Sequence, residues 1–369
     1  LRILNDMKAG MPHIEKNRID WIQIDPELLK RILDDLVTGA GATVLFNTFM
    51  AGVEAQDGVV QTIFLANKAG LTAYRAKVFV DCSGDADLAA WAGAEFLVGN
   101  ESGEVQPVTH CFRLANIDDY AYRTGKWLHG SNENSEIFQI LADKKYPLIP
   151  DRNINNSLNG PGVVGFNAGH IWNVDNTRPD EVSNALMIGR KTAKAFRDAL
   201  AEYRPADFGN AFVVETAPLL GARESRRVVG DYTLVLDDYA NRRSFHDEIC
   251  RSCFYVDIHG SKAVTSASTE ERAKMNLNRY PVYQPGESNG VPYRCLTPKK
   301  LVNVLVAGRS ISCDRPMHGS TRTMPTCLAM GEAAGLAAAL SAGTEAHDVH
   351  VVDTDLLRKR LREEGAYLP

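Results

Sequence analysis

The sequence predicts an α/β protein in which one domain is interrupted by another. Two stretches carry this prediction, because each reads as a buried strand, a glycine turn and a helix: residues 73–91 and residues 301–339. Residues 99–289 differ in texture, with Gly and Asn clustered among short β-like runs, and at 369 residues the chain is long enough to bury two cores. We therefore predict an α/β domain over 1–98 and 290–345, a sheet-rich α+β insert over 99–289, and a C-terminal helix within 346–369.

The first predicted element is a helix that begins after Asp25. Asp25 suits the N-cap position and Pro26 suits the first helical position, where no backbone N–H is needed. Leucine and isoleucine residues then recur at helical spacing up to Leu36. Gly39 and Gly41 are expected to end this helix, and residues 42–46 are predicted to form a strand.

A hairpin and a strand-to-helix turn follow. Strands near 52–54 and 59–66 flank Asp57-Gly58, which is a strong two-residue turn signal. A further strand, residues 73–81, runs into the turn DCSGD at 81–85, and the next helix ends near Trp91. Taken alone, this turn predicts a tight connection in which Asp85 caps the helix.

The stretch from 292 to 339 repeats the strand-turn-helix pattern. A turn at Thr297-Pro298 and a strand over 301–307 lead to Gly308-Arg309, then to a polar loop that contains His318, and then to a helix that starts at Pro325. The dipole and unpaired N–H groups of a helix start favour negative charge. In that helix, Gly331 and Gly335 lie one turn apart and leave a groove for another backbone or a flat ring.

The middle and the end of the chain predict two further helices. One spans about 180–203, after a β-like run at 163–166, and belongs to the insert. The last, near 354–364, is amphipathic and charged, which is typical of a solvated terminal helix.

Four stretches together resemble the bacterial FAD-dependent oxidoreductases of the glutathione-reductase-like, two-domain kind: 78–96 (VFVDCSGDADLAAWAGAEF), 215–234, 256–260 and 292–339. This resemblance covers most of the chain, from about Asp25 to Ala339. It implies a Rossmann-like FAD-binding domain with an inserted substrate domain, and FAD as the cofactor. The family's G-x-G-x-x-G loop for the ADP diphosphate is not found in these residues. We therefore expect the FAD-binding domain to be incomplete at its N-terminus and the sequence to be a fragment.

The resemblance implies cofactor contacts at both strand ends and at the start of the last small-residue helix. The implied contacts are Met50, Cys82, Ser83, Gly84, Asp85, Gly308, Arg309, Met324, Pro325 and Thr326. Met50 aligns with the residue whose backbone usually meets the adenine. Arg309 stands where related flavoproteins often carry an Asp for the ribityl chain, so the resemblance leaves open whether its side chain or only the Gly308 backbone touches FAD.

Three arginines and two histidines are the candidates for catalysis. Arg223, Arg226 and Arg227 in RESRR would share one face of a helix, and a guanidinium fork suits a carboxylate or phosphate. The alternative is an ion-pair network with nearby acidic residues, namely Glu215, Glu224 or Asp231. His318 and His259 are candidate acids or bases, because histidine titrates near neutral pH. Weaker candidates are His110 and His170.

Composition narrows the class of protein. A net charge of −5 without a basic stripe argues against nucleic acid as a partner, and no apolar run approaches the ~18 residues of a membrane span. Seven cysteines, an odd number in a long chain, indicate reduced thiols and a cytoplasmic setting. Cys250 and Cys253 form one CxxC, for which structural thiols are favoured over a redox or metal role, since no second pair stands at zinc-finger spacing.

These observations predict a flavoprotein oxidoreductase that moves a hydride between a small molecule and flavin N5. The substrate is expected to dock between the insert and the flavin ring, and an anionic substrate is one alternative. The rival prediction is a non-catalytic FAD- or nucleotide-binding subunit that transfers electrons or assembles a complex. A flavoprotein that modifies RNA is disfavoured by the acidic balance of charge.

Overall fold

The computed structural model describes residues 24–260 and 280–369, which form a mixed α/β protein. In chain order the described helices and strands are α1 (Pro26–Gly39), β1 (Phe49–Gln56), β2 (Val59–Asn67), β3 (Gly70–Tyr74), β4 (Phe79–Asp81), α2 (Asp87–Trp91), β5 (Phe96–Val98), β6 (Phe112–Ala115), α3 (Asp119–Thr124), α4 (Glu136–Asp143), β7 (Ile154–Gly160), β8 (Val163–Ala168), α5 (Pro179–Tyr203), α6 (Pro205–Phe208), β9 (Phe212–Thr216), β10 (Arg226–Val228), α7 (Leu236–Ala240), β11 (Glu248–Ser252), β12 (Asn289–Pro292), β13 (Val304–Val306), α8 (Arg315–Thr321), α9 (Met324–Ala342) and α10 (Thr354–Glu363).

The described residues fall into two compact units. Unit 1 holds residues 24–45, 107–222 and 260, and unit 2 holds residues 46–106, 223–259 and 280–369. Residues 223–259 therefore group with the two strand-turn-helix stretches, because β10 pairs with β5 and β11 pairs with β12. This grouping by contact assigns no function to either unit, so the predicted FAD and substrate domains stay predictions.

Unit 1 is built on a four-stranded antiparallel sheet in the order β7-β8-β6-β9. Its core is aromatic: the rings of Phe112 and Phe166 stack at 4.9 Å, and Phe196 of the long helix α5 packs beside them at 5.8 Å. Helix α1 begins as predicted, since the Asp25 carboxylate accepts hydrogen bonds from the N–H groups of Glu27 and Leu28 at 2.9 and 3.3 Å.

Unit 2 contains the predicted hairpin and a pair of parallel strands. β1, β2 and β3 form an antiparallel meander, and the turn between β1 and β2 has positive φ at both Asp57 (+51°) and Gly58 (+80°). That is the backbone of a twisted two-residue hairpin. β4 and β13 run parallel, and α9 packs on both. The small residues Ala333, Ala334 and Ala337 of α9 are fully buried in the core of unit 2, which lets the helix lie close to the strands.

Several predicted elements are wrong in detail. Residues 42–46 form no strand, and Phe46 is 72% exposed, so nothing buries an apolar face there. The single strand predicted over 73–81 is divided between β3 and β4, because β3 pairs with β2 whereas β4 pairs with β13. The segment around His318 is helix α8 rather than a polar loop, since Asp314 accepts the Met317 N–H at 2.8 Å and caps a helical turn.

The C-terminal helix α10 is held more firmly than a solvated helix would be. Leu357 and Leu361 are buried in the core of unit 2, and Arg358 donates hydrogen bonds to the carbonyls of Phe245 and His246 at 2.9 and 2.8 Å. Across the described ranges, no helix combines the length and apolarity that crossing a bilayer requires.

Candidate active site

Two of the predicted cofactor segments meet at one edge of unit 2. Asp81 at the end of β4 lies opposite Val306 at the end of β13, and the Ala307 N–H donates to the Asp81 carbonyl at 3.1 Å. The carboxyl ends of parallel strands are where ligands bind in open α/β sheets. The structure therefore brings residues 82–85 and residues 308–309 together. We call these the strand-end residues.

A buried carboxylate fixes the turn after β4 by hydrogen bonds, and a glycine in the turn adopts a positive φ. Asp81 accepts hydrogen bonds from the N–H and Oγ of Ser83 at 3.0 and 2.7 Å, and from the Ala89 N–H at 3.0 Å. Ser83 Oγ in turn accepts the Asp87 N–H at 2.9 Å. Gly84 has φ +82°, a conformation that glycine adopts without steric cost.

Asp85 does not cap α2, contrary to the prediction. The residue at the N-cap is Ala86, with φ +53° and no side-chain capping bond. The Asp85 carboxylate instead accepts hydrogen bonds from Arg309 Nη2 at 2.8 Å and from Ser225 Oγ at 2.5 Å. Because Asp85 and Arg309 follow different strands, this ion pair ties the two strand ends together.

The Arg309 side chain lies across the turn after β4. An ideal Cβ on Gly84 would stand 2.5 Å from Arg309 Nη1 and 2.7 Å from its Cζ, so the guanidinium fills the space that a side chain at position 84 would need. Gly308 has φ +96°, and apart from its two chain neighbours no described residue comes within 4 Å of its ideal Cβ. The side chain of Arg309 thus belongs to the strand-end residues, and its contact with FAD stays a prediction.

Helix α9 starts beside the strand-end residues. Cys327 lies in the first turn of α9. Burial raises its pKa to about 11, the charge of Arg309 opposes this rise, and Cys82 adds to it. The first turn of α9 is therefore close to both strand ends. Thr323 at the N-cap makes no side-chain capping bond to a described residue, Met324 and Pro325 are exposed, and Thr326 is buried. The first N–H groups of α9 are therefore left for an electron-rich partner.

Gly331, Gly335 and Met50 have surroundings that leave their predicted roles untested. Apart from neighbouring backbone of α9 itself, no described atom comes within 4 Å of an ideal Cβ on Gly331 or Gly335, so in the described part of the chain no other backbone enters the predicted groove on α9. Met50 pairs with Leu65 in the β1–β2 ladder and packs on the hydrophobic cluster around Val60. Its predicted contact with the adenine stays a prediction.

A buried carboxylate organises the RESRR segment. Glu224, 1% exposed, forms ion pairs with Arg227 and with Arg315 Nε at 3.2 Å, and it accepts the Gln106 N–H at 3.0 Å. Arg227, 3% exposed, also donates to the carbonyls of Gly99 and Cys313 at 3.0 and 3.3 Å. The predicted ion pair of this segment with Glu224 is therefore present.

The helical arrangement predicted for RESRR is wrong. Residues from Arg226 on form strand β10, which pairs with β5, so the three arginines do not share a helix face. Arg226 pairs with Asp87 at 2.8 Å and donates to the Asp85 carbonyl at 3.1 Å, which places it next to the strand-end residues. Arg223 is buried, and its charge helps to lower the pKa of Asp257.

The two other acidic residues named for this network have different partners. Glu215 pairs with Arg113 on the neighbouring strand β6, in unit 1. Asp231 accepts a hydrogen bond from His350 Nδ1 at 2.6 Å. A part for the RESRR arginines in binding a substrate or flavin stays a prediction.

His318 is completely buried in α8. Its Nδ1 lies 3.4 Å from Gln106 Nε2, and its Nε2 is a buried atom that has no hydrogen-bond partner in the described residues. Burial holds the pKa of His318 well below its ordinary value, and the charges of Arg322, Arg227 and Arg309 lower it further, which outweighs the opposing effect of the Arg309 backbone. His318 is therefore neutral near pH 7.

His259 lies in a second small cluster of unit 2. Its Nε2 is 3.2 Å from Asp257 Oδ2, and its N–H donates to Gln106 Oε1 at 3.0 Å. Arg322 donates to the carbonyl and carboxylate of Asp257 at 2.9 and 3.1 Å. Burial alone would raise the pKa of Asp257, but His259, Arg322 and Arg223 together lower it to about 2, so this carboxylate is charged.

Gln106, Arg315 and Arg322 are candidate residues that sequence reasoning missed. Gln106 touches both histidines although it stands more than 150 positions from each, and no local pattern marks it. Arg322 immediately precedes the N-cap of α9 in the recognised motif, so its place beside the helix start was a signal that the sequence did contain.

The two weaker histidines belong to unit 1. His170 Nδ1 pairs with the buried Asp151 carboxylate at 2.9 Å, and His110 Nε2 contacts the Ala217 carbonyl at 2.8 Å. All seven cysteines are described and free, with Cys250 buried and Cys253 exposed. Within residues 24–260 and 280–369, no group of three or more His, Cys, Asp or Glu side chains is placed to hold a metal ion.

Comparison with solved structures gives weak likenesses. A geranylgeranyl bacteriochlorophyll reductase-like protein from Thermoplasma acidophilum is 12% identical with a TM-score of 0.38, over 92% of this chain and 59% of that chain. The anhydrotetracycline hydroxylase OxyS from Streptomyces rimosus is 13% identical with a TM-score of 0.33, over 59% of this chain and 37% of that chain. The chain thus spans less than two thirds of either protein.

Comparison with sequence families is decisive. No curated protein matches the chain. The family model described as FAD dependent oxidoreductase matches residues 2–361. Because this match spans nearly all of the 369 residues, the chain belongs to the FAD-dependent oxidoreductase family, and FAD is its cofactor.

Proposed function

We propose that this protein catalyses hydride transfer between bound FAD and a small anionic molecule. The observation that carries the proposal is a set of three buried nitrogen donors in unit 2 that have no hydrogen-bond partner in the described residues: Arg309 Nε, His318 Nε2 and Arg322 Nε. Arg322 follows His318 by one helical turn, with its N–H donating to the His318 carbonyl at 3.2 Å, and the charges of Arg309 and Arg322 both act on the pKa of His318. Buried donors without acceptors are costly, and their concentration at one place favours an electron-rich ligand there.

The strand-end residues fit FAD. Gly84 and Gly308 hold left-handed backbone at the carboxyl ends of parallel strands, and no described residue other than its chain neighbours comes within 4 Å of an ideal Cβ on Gly308. The start of α9, with an N-cap whose side chain accepts no N–H of the helix in the described residues, lies beside them and suits a group that gains negative charge. We assign Gly84, Gly308, Arg309 and the first turn of α9 to the cofactor.

FAD, when bound, accepts or gives a hydride at N5 of its ring. The residues of this chain supply position and charge. Asp85 holds Arg309 over the turn, Asp257 holds Arg322 beside the helix start, and both arginines keep an Nε–H for an acceptor. Such fixed donors in a dry site stabilise developing negative charge without reorganisation.

The arginine side chains among these donors support an anionic substrate. Arg309 pairs with Asp85 and Arg322 with Asp257, and each arginine also has a buried Nε without a hydrogen-bond partner in the described residues. A guanidinium group suits a carboxylate ligand. The part of residues 99–289 in recognising the substrate stays a prediction.

The test begins with the full-length protein. It should show flavin absorbance near ~450 nm. Under anaerobic conditions, some members of a panel of carboxylates should reoxidise the reduced flavin or reduce the oxidised flavin. They should do so far faster than their methyl esters. A colourless protein that ignores added FAD would refute the cofactor assignment. Equal rates with acids and esters would refute the anionic substrate, and loaded but inert protein would favour the electron-transfer or assembly subunit.

Arg322→Gln isolates the anionic site. It should keep flavin but raise the KM for a carboxylate substrate, because a charge-assisted contact is lost. Arg178→Gln is the matched control, since Arg178 is an arginine of unit 1 that is 58% exposed and paired with Asp180 and Glu181. An equal rise of KM in both variants would refute an anion-binding site at Arg322.

A further inference from the structure

The orientation of the Gln106 amide is fixed by an unambiguous donor. Gln106 is fully buried, and its side chain accepts the backbone N–H of His259 at 3.0 Å. A backbone N–H can only donate, so the atom that faces it is the amide oxygen Oε1. The other end of the amide is therefore an NH₂ group, and this group lies 3.4 Å from His318 Nδ1.

This orientation determines the tautomer of His318. An NH₂ group only donates, so His318 Nδ1 accepts, and a neutral imidazole that accepts at Nδ1 carries its proton on Nε2. The Gln106 backbone is itself fixed, because its N–H donates to the buried Glu224 carboxylate at 3.0 Å. A chain of buried groups thus leads from Glu224 through Gln106 to the ring of His318.

The proton on Nε2 points to a role that differs from acid–base catalysis. Nε2 is buried and has no hydrogen-bond partner in residues 24–260 and 280–369. The charged groups that act on this ring are the guanidinium groups of Arg227, Arg309 and Arg322, and all of them disfavour a second proton. We propose that Gln106 is a positioning residue that holds His318 as a neutral hydrogen-bond donor, whose Nε2–H binds an acceptor oxygen of a ligand.

The acceptor is a carbonyl or carboxylate oxygen, and two sources can supply it. One is a carbonyl of bound FAD, and the other is the anionic substrate. Of these two sources, only the anionic substrate rests on the proposed function. The tautomer and the buried donor are properties of the protein without ligand, so they can be tested even if FAD binding fails.

The experiment is long-range ¹H–¹⁵N NMR on full-length protein labelled with ¹⁵N-histidine, in which the two ring nitrogens resonate differently according to which is protonated. His318→Asn assigns the signal. We expect the His318 signals to be those of the Nε2–H tautomer and to stay unchanged between about pH 5.5 and 8. The signals of His246, whose side chain is 79% exposed, are the reference for a ring in water. An Nδ1–H tautomer, or titration of His318 within this pH range, would overturn the proposal.

Gln106→Glu tests the positioning role. A carboxylate facing Nδ1 can only accept, so the proton should move to Nδ1. Gln139→Glu, the same change at an exposed position of unit 1, should leave the His318 signal as in the wild type. If Gln106→Glu does not fold, Gln106→Met should populate both tautomers. A wild-type tautomer in either folded Gln106 variant would refute positioning by Gln106.

The source of the acceptor is found by adding FAD and then formate, a minimal carboxylate probe. A change in the Nε2 proton signal with FAD alone assigns the acceptor to the cofactor, and a change only after formate assigns it to a carboxylate ligand. No change with FAD and formate together would overturn the claim that Nε2–H binds a ligand. Flavin absorbance of the same samples reports separately whether FAD is bound.

Discussion

Glu224→Gln is the sharpest test of the buried network in unit 2. The substitution keeps the shape of the side chain and removes its charge, which Arg227 and Arg315 both face. Breaking a buried ion pair by removing one partner typically costs 3–5 kcal/mol, because a charge is left without compensation in a dry site. Arg227 has a side chain only 4% exposed, whereas Arg315 is 21% exposed and can turn towards water.

The structure places the expected loss near the lower limit of that range. Arg227 keeps its bonds to the carbonyls of Gly99 and Cys313, and the new amide oxygen can still accept one N–H. We expect Glu224→Gln to lower the free energy of unfolding by about 3 kcal/mol. Arg227→Met in the same chain should recover about 1 kcal/mol or more of this loss, because it removes the unpaired charge.

Urea unfolding of the wild type, both single variants and the double variant measures these differences. Glu287→Gln is the matched control, since Glu287 forms a two-point ion pair with Arg242 in the same unit, at 2.9 and 3.1 Å, with both side chains about a third exposed. Its loss should be much smaller, because water screens the pair. Equal losses at Glu224 and Glu287, or no recovery in the double variant, would refute the buried-charge argument.

Three further outcomes are expected. Gly308→Val should cost about 1–3 kcal/mol of stability, because φ is +96°, and should also lower flavin content. Gly70→Val, at φ +105° on the exposed β3, should cost stability alone. Urea unfolding and flavin absorbance measure the two effects. At least one Arg→Gln change within residues 223–227 should lower kcat/KM by roughly 30- to 1000-fold, about 2–4 kcal/mol, with flavin retained; full activity in all three would make the segment scaffold. Burial lowers the pKa of His350, but its hydrogen bonds to Asp231 and to the Leu301 carbonyl raise it overall. The stability lost in His350→Asn, measured by urea unfolding, should therefore be largest below about pH 6.5 and should shrink as the pH rises through the pKa of the folded state.

Local backbone chemistry is what the sequence predicted well. Asp57-Gly58 specified the hairpin and Asp25-Pro26 the start of α1, because both signals act within a few residues. The match of the family model supports the resemblance that linked residues 78–96 to residues 292–339. The parallel pairing of β4 with β13 then shows that these stretches meet, although more than 220 residues separate Asp81 from Val306.

Long-range electrostatics is what the sequence could not supply. Helical spacing put the RESRR arginines on one face, but pairing with β5 places Arg226 and Arg227 in a strand, because tertiary contacts override a local pattern. The same limit applies to His318, which reads as a polar loop residue and is buried in α8 beside three arginines. Only the fold places Gln106 and Arg227, both far away in sequence, near this ring.

The buried donors of unit 2 connect stability with ligand binding. Arg309 Nε, His318 Nε2 and Arg322 Nε lie in buried positions without a partner in the described residues, and each unsatisfied donor costs about 1–3 kcal/mol. That sum is a large part of the 5–15 kcal/mol by which proteins are ordinarily stable. A ligand that supplies acceptor oxygens binds the folded state alone, so it returns this free energy as added stability, by RT ln(1 + [L]/Kd). Donors that weaken the free protein are therefore the groups through which FAD or an anionic substrate would stabilise it.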